Sequence, residues 1–305
     1  ELTEIVRDNV AQTGTGVGET GPEPAAFQAQ TAGFKAGKRR RLQAAHRDRA
    51  RLLAQQERAG ARRMERFFAR QQREILEAMQ SGHKAEGEDF AQKLSALLEG
   101  AGLAMDISQI REAAREALEQ LLDWGAQEEA LTAALSPIWQ EAFEAGAGSI
   151  RQIAGLDSVR APSLTDYLRR EGLKRAHGIT ETTRDRLANL LADGVEAGES
   201  TAQLVRRIQQ ELPDIQAERA ATIALSEVHT SLQAGSFAQM QYAGVRTKTW
   251  ITAGDEDVRD SHQNVAGETV PMEQRFSNGL LYPGDPAGSP MEIINCRCDM
   301  LPGDL

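Results

Sequence analysis

The stretch over residues 37–81 contains no proline, and its apolar residues recur at a helical repeat. Leu42, Leu53, Met64 and Ile75 are spaced 11 residues apart. Because 11 residues span about three turns of an α-helix, these four side chains fall on one narrow stripe. We therefore predict one long helix that packs against neighbouring helices along a single side.

This predicted helix also concentrates positive charge. Residues 35–73 contain 14 Lys and Arg but three acidic residues, a net charge of +11. The whole chain carries −10, so the other 266 residues carry −21. Such a separation of charge between parts of one chain is typical of a basic interaction arm.

The basic face allows two interpretations. It is either a solvated surface of an arm through which copies of the chain associate, or a surface that contacts the phosphates of double-stranded DNA. No aromatic ladder is interleaved with the charges, so stacking on single-stranded bases is not predicted. The candidate DNA-binding residues are Lys38, Arg39, Arg40, Arg41, Arg47 and Arg51.

Composition predicts an α+β fold that is mainly helical, with a long N-terminal basic helix, a helical middle and a small C-terminal β/loop module. Aromatic residues make up 5% of the chain, so aliphatic side chains must form most of the core, which favours helices. No run of about 18 apolar residues occurs, and no membrane-spanning helix is predicted. The predicted segments are a Gly- and Pro-rich flexible linker (1–34), the basic helical arm (35–81), a helical region (82–178) and a C-terminal domain (179–305).

Helix boundaries in the middle of the chain are predicted from capping and breaking residues. Gly125 is expected to interrupt the helical region. Ser200 and Gln203 have the spacing of a capping box and predict the start of a helix. Pro213 is expected to end that helix, and a second helix is expected over residues 215–242.

The pattern changes after this last helix. Residues 246–252 alternate and are rich in β-forming residues, which predicts a strand. Four prolines and many Gly and Asp residues follow. We expect a compact β/loop module of about 60 residues that rests on the preceding helix.

Both cysteines of the chain lie in this module, and three interpretations stay open for them. Cys296 and Cys298 could join His262 as ligands of a structural zinc ion, with a carboxylate or His229 as the fourth ligand, although the spacing is unlike zinc ribbons or fingers. They could instead be buried reduced thiols beside a hydrogen-bonded histidine. They could also take part in catalysis, through metal-assisted hydrolysis or a cysteine nucleophile paired with His262.

An ordered series of short motifs runs through the same region. The series is Ser226-Glu227, Gly244-Val245, Lys248-Thr249-Trp250, Asp255, Asp257-Val258-Arg259, Ser261-His262, Gly267, Tyr282-Pro283-Gly284-Asp285 and Asn295-Cys296-Arg297-Cys298. Over roughly residues 180–301 it resembles the phage Mu F-like head morphogenesis domain. Members of that family commonly carry Arg-Thr-Glu in the long helix, where this chain has Leu225-Ser226-Glu227.

The resemblance implies a minor head protein that acts in head morphogenesis near the portal of a tailed phage. It implies portal and major capsid proteins as partners, and a location in the virion and, during assembly, in the host bacterial cytoplasm. The physical interpretation of the motif residues is structural, and the leading hypothesis is a non-enzymatic assembly protein. The motif residues are Glu227, Trp250, Asp255, Asp257, Arg259, His262, Asn295, Cys296, Arg297 and Cys298.

Two physical expectations accompany this resemblance. Arg259 is expected to pair with Asp255 or Glu227, while His262 and the cysteine pair clip the C-terminal segment onto the strand. The alternative function is a metal-dependent hydrolase or nuclease that uses Asp257 together with the His262, Cys296 and Cys298 cluster. No cofactor other than the zinc ion is expected.

Overall fold

The computed structural model describes residues 36–81, 105–119, 121–155 and 171–303. The linker predicted over residues 1–34 lies outside these residues, as do parts of the helical region predicted over 82–178. Long helices account for most of the described chain, and one small antiparallel sheet lies near its C-terminus. The predicted mainly helical α+β class is therefore confirmed.

The helices and strands follow one another in a simple order along the described residues. They are α1 (Ala36–Ser81), α2 (Ile107–Glu119), α3 (Trp124–Ala154), α4 (Leu173–Glu196), α5 (Thr201–Tyr242), β1 (Thr247–Ile251), α6 (Asp260–Gln263), β2 (Thr269–Pro271), α7 (Pro290–Ile293) and β3 (Asp299–Pro302). None of the helices in the described residues is both long and apolar enough to cross a membrane.

The described residues fall into two compact units. The helical unit consists of those within Leu52–Ala145 and Pro162–Leu232. The C-terminal unit consists of those within Glu1–Arg51, Gly146–Ala161 and Gln233–Leu305.

The long predicted helix is confirmed as α1. Its apolar stripe is buried within the helical unit at Met64, Phe67, Phe68 and Ile75, whereas the side chain of Leu42 lies outside the described residues. Met64 and the two phenylalanines pack in one apolar cluster with residues of α3 and α5, and Ile75 packs in a second cluster with residues of α2 and α4. The 11-residue spacing therefore marks the face that α1 buries in its own chain.

The predicted interruption of the helical region is present, but it directly precedes Gly125, which lies in the first turn of α3. There Asp123 accepts a hydrogen bond from the backbone N–H of Ala126 (2.9 Å). The helix end predicted at Pro213 is wrong. Pro213 lies inside α5, which continues from Thr201 to Tyr242. The helix persists there because it buries apolar side chains on both sides of the proline, such as Leu212 and Ala220, and this packing offsets the lost backbone hydrogen bond.

One half of the capping box predicted before α5 is confirmed. The backbone N–H of Ser200 donates to Gln203 Oε1 (2.9 Å), and the Ser200 hydroxyl donates to the same oxygen (2.7 Å). The backbone N–H of Gln203 donates to the Ser200 carbonyl (2.8 Å) rather than to the hydroxyl, so the Gln203 side chain supplies the contact that stabilises the beginning of the helix.

The strand predicted over residues 246–252 is confirmed as β1, and it is the central strand of a three-stranded antiparallel sheet with the order β2-β1-β3. Thr249 pairs with Thr269 on one side and with Leu301 on the other. Because β3 begins at Asp299, opposite Ile251, the sheet brings the end of the chain beside the strand that follows α5. This pairing also brings the Cys-Arg-Cys motif, which directly precedes β3, next to the end of β1.

Candidate functional site

The C-terminal unit brings together the three side chains that the sequence singles out as ligands. His262 Nδ1 lies 3.4 Å from Cys298 Sγ and 3.7 Å from Cys296 Sγ. The three ligand atoms all lie within 4.8 Å of one another. The exposed fractions of His262, Cys296 and Cys298 are 1%, 1% and 3%, so water has almost no access to the group.

The backbone around the Cys-Arg-Cys motif explains how both sulfurs reach the histidine. Asn295 has φ 58°, the one positive φ at a non-glycine position in the described part of the chain, and it turns the chain sharply after α7. After this turn Cys296 and Cys298 are buried and Arg297 between them is exposed, so both sulfurs face the interior.

A carboxylate lies behind the histidine ring. Glu292 Oε2, at the end of α7, lies 2.8 Å from His262 Nε2. The Ser261 hydroxyl donates to the same oxygen at 2.9 Å. Glu292 thus places a carboxylate beside Nε2, while Nδ1 is the ring nitrogen that faces the two sulfurs.

Aromatic rings close the other sides of the cluster. The Trp250 ring of β1 meets His262 edge to face at 5.1 Å, and Phe276 meets the same tryptophan at 5.1 Å. The pKa of the Cys298 thiol is held well above its usual value, mainly by its hydrogen bond to Cys296 and then by burial. Bonds from the Trp250 side chain and the Ala253 backbone act in the opposite direction, favouring the thiolate.

Directly after the second cysteine lies a buried ion pair that the sequence analysis missed. The Arg49 guanidinium of α1 donates Nε to Asp299 Oδ2 (2.9 Å) and Nη2 to Asp299 Oδ1 (2.8 Å). Gln233 Nε2 donates to the same carboxylate at 2.9 Å, and His46 Nδ1 lies 3.4 Å from it. Burial alone would raise the pKa of Asp299, but the charge of Arg49 and the bonds from His46 and Arg49 hold it well below its usual range.

One signal in the sequence could have revealed Arg49. It lies seven residues after Leu42 and four before Leu53, so it occupies a position on the apolar stripe of α1 rather than on its basic face. A charged residue on a stripe that is otherwise apolar needs a buried partner of opposite charge. The partner, Asp299, is 250 residues away, and no local pattern connects the two.

A second buried cation lies in β1, within the Lys248-Thr249-Trp250 motif. The side chain of Lys248 is fully buried, its Nζ donates to the carbonyl of Met272 (2.6 Å), and it lies 4.9 Å from the Phe237 ring and 5.3 Å from the Phe276 ring. Burial lowers the pKa of Lys248 to about 8, while nearby acidic residues raise it in part.

The remaining motif residues fall into exposed and buried groups. Asp255 and Asp257 are exposed, so Asp257 does not share the burial of the cysteine cluster. Arg259 donates a hydrogen bond to the backbone carbonyl of Ile294, a contact that ties the segment before α6 to the turn before Cys296. This contact differs from the expected partners of Arg259, because the arginine binds a carbonyl group of the cysteine-bearing segment.

Glu227 has partners of its own within the helical unit. Its carboxylate accepts hydrogen bonds from the Trp139 indole and from Arg175 Nε (2.7 Å), and the guanidinium of Arg175 stacks on the Trp139 ring at 5.4 Å. Arg175 of α4 therefore supplies a positive charge to this glutamate of α5. Glu227 is buried, which makes this pair part of the helix packing.

The predicted DNA-binding residues lie on α1. Arg40, Arg47 and Arg51 are exposed, and Arg51 lies 3.7 Å from the exposed carboxylate of Asp48. The side chains of Lys38, Arg39 and Arg41 lie outside the described residues. Separations of seven and four residues place Arg40, Arg47 and Arg51 on one side of the helix.

Comparison with known proteins relates the chain to one protein family and to one bacterial protein. The family model described as Phage Mu protein F like protein matches residues 185–301. The uncharacterized protein YqbB of Bacillus subtilis (strain 168) is 29% identical over 140 residues, which cover 42% of this chain and 45% of YqbB, less than half of its length. No solved structure matches the chain.

Proposed function

We propose that the chain is a minor head protein that acts in phage head morphogenesis, because the Phage Mu protein F like family model matches residues 185–301. The family match carries this proposal, since the matched residues hold the sheet, the cysteine cluster and Glu227. The Asn-Cys-Arg-Cys turn, the part of the motif series closest to the C-terminus, forms a buried, specifically bonded structure. Such a structure suits a rigid assembly domain.

The proposal extends to the partners of the chain and to its location. Portal and major capsid proteins are the proposed partners, and the virion and the host bacterial cytoplasm during assembly are the proposed locations. Association of copies through α1 belongs to the same proposal. In the helical unit the apolar stripe of α1 is already buried at Met64, Phe68 and Ile75, so such an association would use its other faces.

The head role is tested by deleting the coding region from the phage or prophage that carries it. We expect particles that are defective or poorly infectious, with restoration by the chain supplied in trans. Mass spectrometry of purified heads should detect the chain in restored particles. Fully normal, infectious particles from the deletion would contradict the proposal.

We also propose that the exposed arginines of α1 contact packaged DNA. Arg40, Arg47 and Arg51 form a row of guanidinium groups, and each phosphate contact releases bound counterions, which makes affinity depend on salt. Replacing all three with glutamine should reduce the slope of log affinity against log salt by up to about 2.7, since each contact accounts for roughly 0.9.

Arg63 provides the matched control for this measurement. It lies on the same helix, but both of its terminal nitrogens donate to Glu141 (2.8 and 3.1 Å). Arg63→Gln should therefore leave the salt slope unchanged. If the triple variant has the slope of the wild type, the row of arginines is a solvated face and the DNA contact is wrong.

The proposed role is non-enzymatic. A catalytic group must reach the substrate, and the His262, Cys296 and Cys298 cluster is buried, with the exposed Asp257 outside it. Incubating the purified chain with DNA and divalent metal ions should give no turnover. Metal-dependent cleavage that disappears in His262→Ala would instead establish the hydrolase or nuclease alternative.

A further inference from the structure

We propose that His262, Cys296 and Cys298 bind one structural zinc ion inside the C-terminal unit. In a tetrahedral zinc site, Zn–S bonds near 2.3 Å and Zn–N bonds near 2.0–2.1 Å separate a nitrogen ligand from a sulfur ligand by about 3.6 Å. His262 Nδ1 lies 3.4 Å from one sulfur and 3.7 Å from the other. The three ligand atoms all lie within 4.8 Å of one another, so they surround a common centre that one ion could occupy after a small adjustment of the sulfurs.

The chemistry of the ligands selects the metal. Two thiolates and one imidazole form a soft donor set, which zinc prefers over magnesium or calcium. Two thiolates also balance the charge of a divalent ion, so the buried site would carry no net charge. This neutrality matters because an unbalanced charge is costly at positions that are 1–3% exposed.

The surroundings of His262 support the same assignment. In metal sites the nitrogen that does not bind the ion commonly donates its proton to a carboxylate, which fixes the orientation of the ring. Glu292 Oε2 occupies this position beside Nε2 at 2.8 Å, and Ser261 binds that oxygen from its other side. The other ring nitrogen, Nδ1, already faces the two sulfurs.

The ion would connect parts of the chain that have little secondary structure of their own. His262 belongs to the four-residue helix α6, while the cysteines lie between the four-residue helix α7 and the four-residue strand β3. A small module built from short elements gains stability from a metal cross-link. Burial of the site assigns the ion this structural task, which is separate from the proposed head-assembly role.

Metal analysis of the full chain, purified without a histidine tag and dialysed against metal-free buffer, is the first test. We expect about one zinc ion per chain, and a loss of more than about tenfold in Cys296→Ser/Cys298→Ser. The matched control is His177→Ala, because this exposed histidine bonds Glu128 and belongs to the helical unit. Equal zinc in the wild type and the double-serine variant would show that the zinc is adventitious and overturn the proposal.

A second measurement protects the test against a variant that fails to fold. Cobalt(II) added to the wild-type chain after zinc removal should give a thiolate-to-cobalt charge-transfer absorption, and X-ray absorption of the zinc form should show two sulfur ligands. The same X-ray absorption data identify any zinc ligand other than His262 and the two sulfurs. A folded wild-type chain without zinc and without the cobalt–thiolate band, or a zinc shell with no sulfur, would overturn the proposal.

Discussion

The helical unit buries broad apolar faces, whereas the C-terminal unit relies on a few directional contacts between short elements. Helix α4 of the helical unit buries ten of its 24 residues, among them Leu187 and Leu191. The strands of the C-terminal unit have only five, three and four residues. Its interior contains the Arg49–Asp299 pair, the buried Lys248 and the His262 cluster.

This difference indicates how each unit should respond to substitution. Apolar contacts are non-directional and shared among many side chains, so a core of this kind tolerates exchange of one aliphatic or aromatic side chain for another of similar volume. A buried charge depends on one or two partners in fixed positions, and losing a partner leaves the charge uncompensated. We expect exchanges between apolar residues of similar volume to be mild in the helical unit, and the loss of one partner of a buried charge to be severe in the C-terminal unit.

The largest expected effect is that of Asp299→Ala. This change leaves the Arg49 guanidinium buried without its carboxylate, and removing one partner of a buried ion pair costs about 3–5 kcal/mol. Chemical denaturation gives the free energy of unfolding. The control is Glu141→Ala, which breaks the partly exposed pair with Arg63 and should cost about 1 kcal/mol or less. A cost below 1 kcal/mol for Asp299→Ala would remove the contrast between the units.

The next largest expected effect is a change of the free energy of unfolding with pH in the alkaline range. The pKa of Lys248 is about 8 in the folded chain and near 10.4 when unfolded, so between these values the unfolded chain binds more protons. The free energy of unfolding should therefore rise with pH from about 8 to 10.4, by up to about 3 kcal/mol, at 1.36 kcal/mol per pH unit. Below pH 8 this contribution is constant.

The variant Lys248→Met tests whether Lys248 causes this rise in the free energy of unfolding with pH. The variant removes the titrating amine but keeps a long side chain between the Phe237 and Phe276 rings. Glu273, Asp285 and Arg275 also act on the lysine and stay in place. A rise of the same size in the variant would mean that Lys248 does not cause it.

A milder effect is expected for Phe68→Leu in the helical unit. Phe68 is 1% exposed, contacts Phe67 edge to face at 5.2 Å and lies under the Arg219 guanidinium at 5.3 Å. A hydrophobic exchange of comparable volume usually costs below about 1.5 kcal/mol because the neighbours can repack. Denaturation that gives a cost as large as that of Asp299→Ala would show that this core is as specific as the C-terminal contacts.

The smallest effect is expected for Gln203→Ala at the beginning of α5. The side chain satisfies the backbone N–H of Ser200, and loss of such a capping contact costs roughly 0.5–1 kcal/mol. Gln209→Ala, an exposed position on the same helix, serves as control and should change stability by less than about 0.5 kcal/mol. An equal loss of stability in the two variants would show that the Gln203 contact does not stabilise the beginning of α5.

Patterns within one element predicted much of this molecule. The 11-residue spacing of Leu53, Met64 and Ile75 predicts α1 because it follows from helix geometry alone. The grouping of His262 with the cysteine pair was expected because cysteine is so scarce in this chain and the motif order resembles a known family. In both cases the informative residues are unusual in type or spacing.

Contacts that depend on tertiary packing were not predictable in this way. Pro213 is a helix breaker by its local chemistry, yet burial on both sides of it keeps α5 continuous. The pairing of Arg49 with Asp299 joins residues far apart in sequence, and its only local sign is a charge on an apolar stripe. Sequence patterns therefore predicted the elements and the cluster, while the buried ion pair that fixes β3 required the structure.

Hydrogen exchange followed by mass spectrometry in Asp299→Ala tests the contrast between the units most directly. We expect amides of β1 and β3 to exchange about 100-fold faster than in the wild type, corresponding to a loss of roughly 3 kcal/mol, because their protection depends on this buried pair. Amides of α4 in the helical unit should keep their wild-type rates. Uniform acceleration in both units, or no change in β1 and β3, would contradict the account.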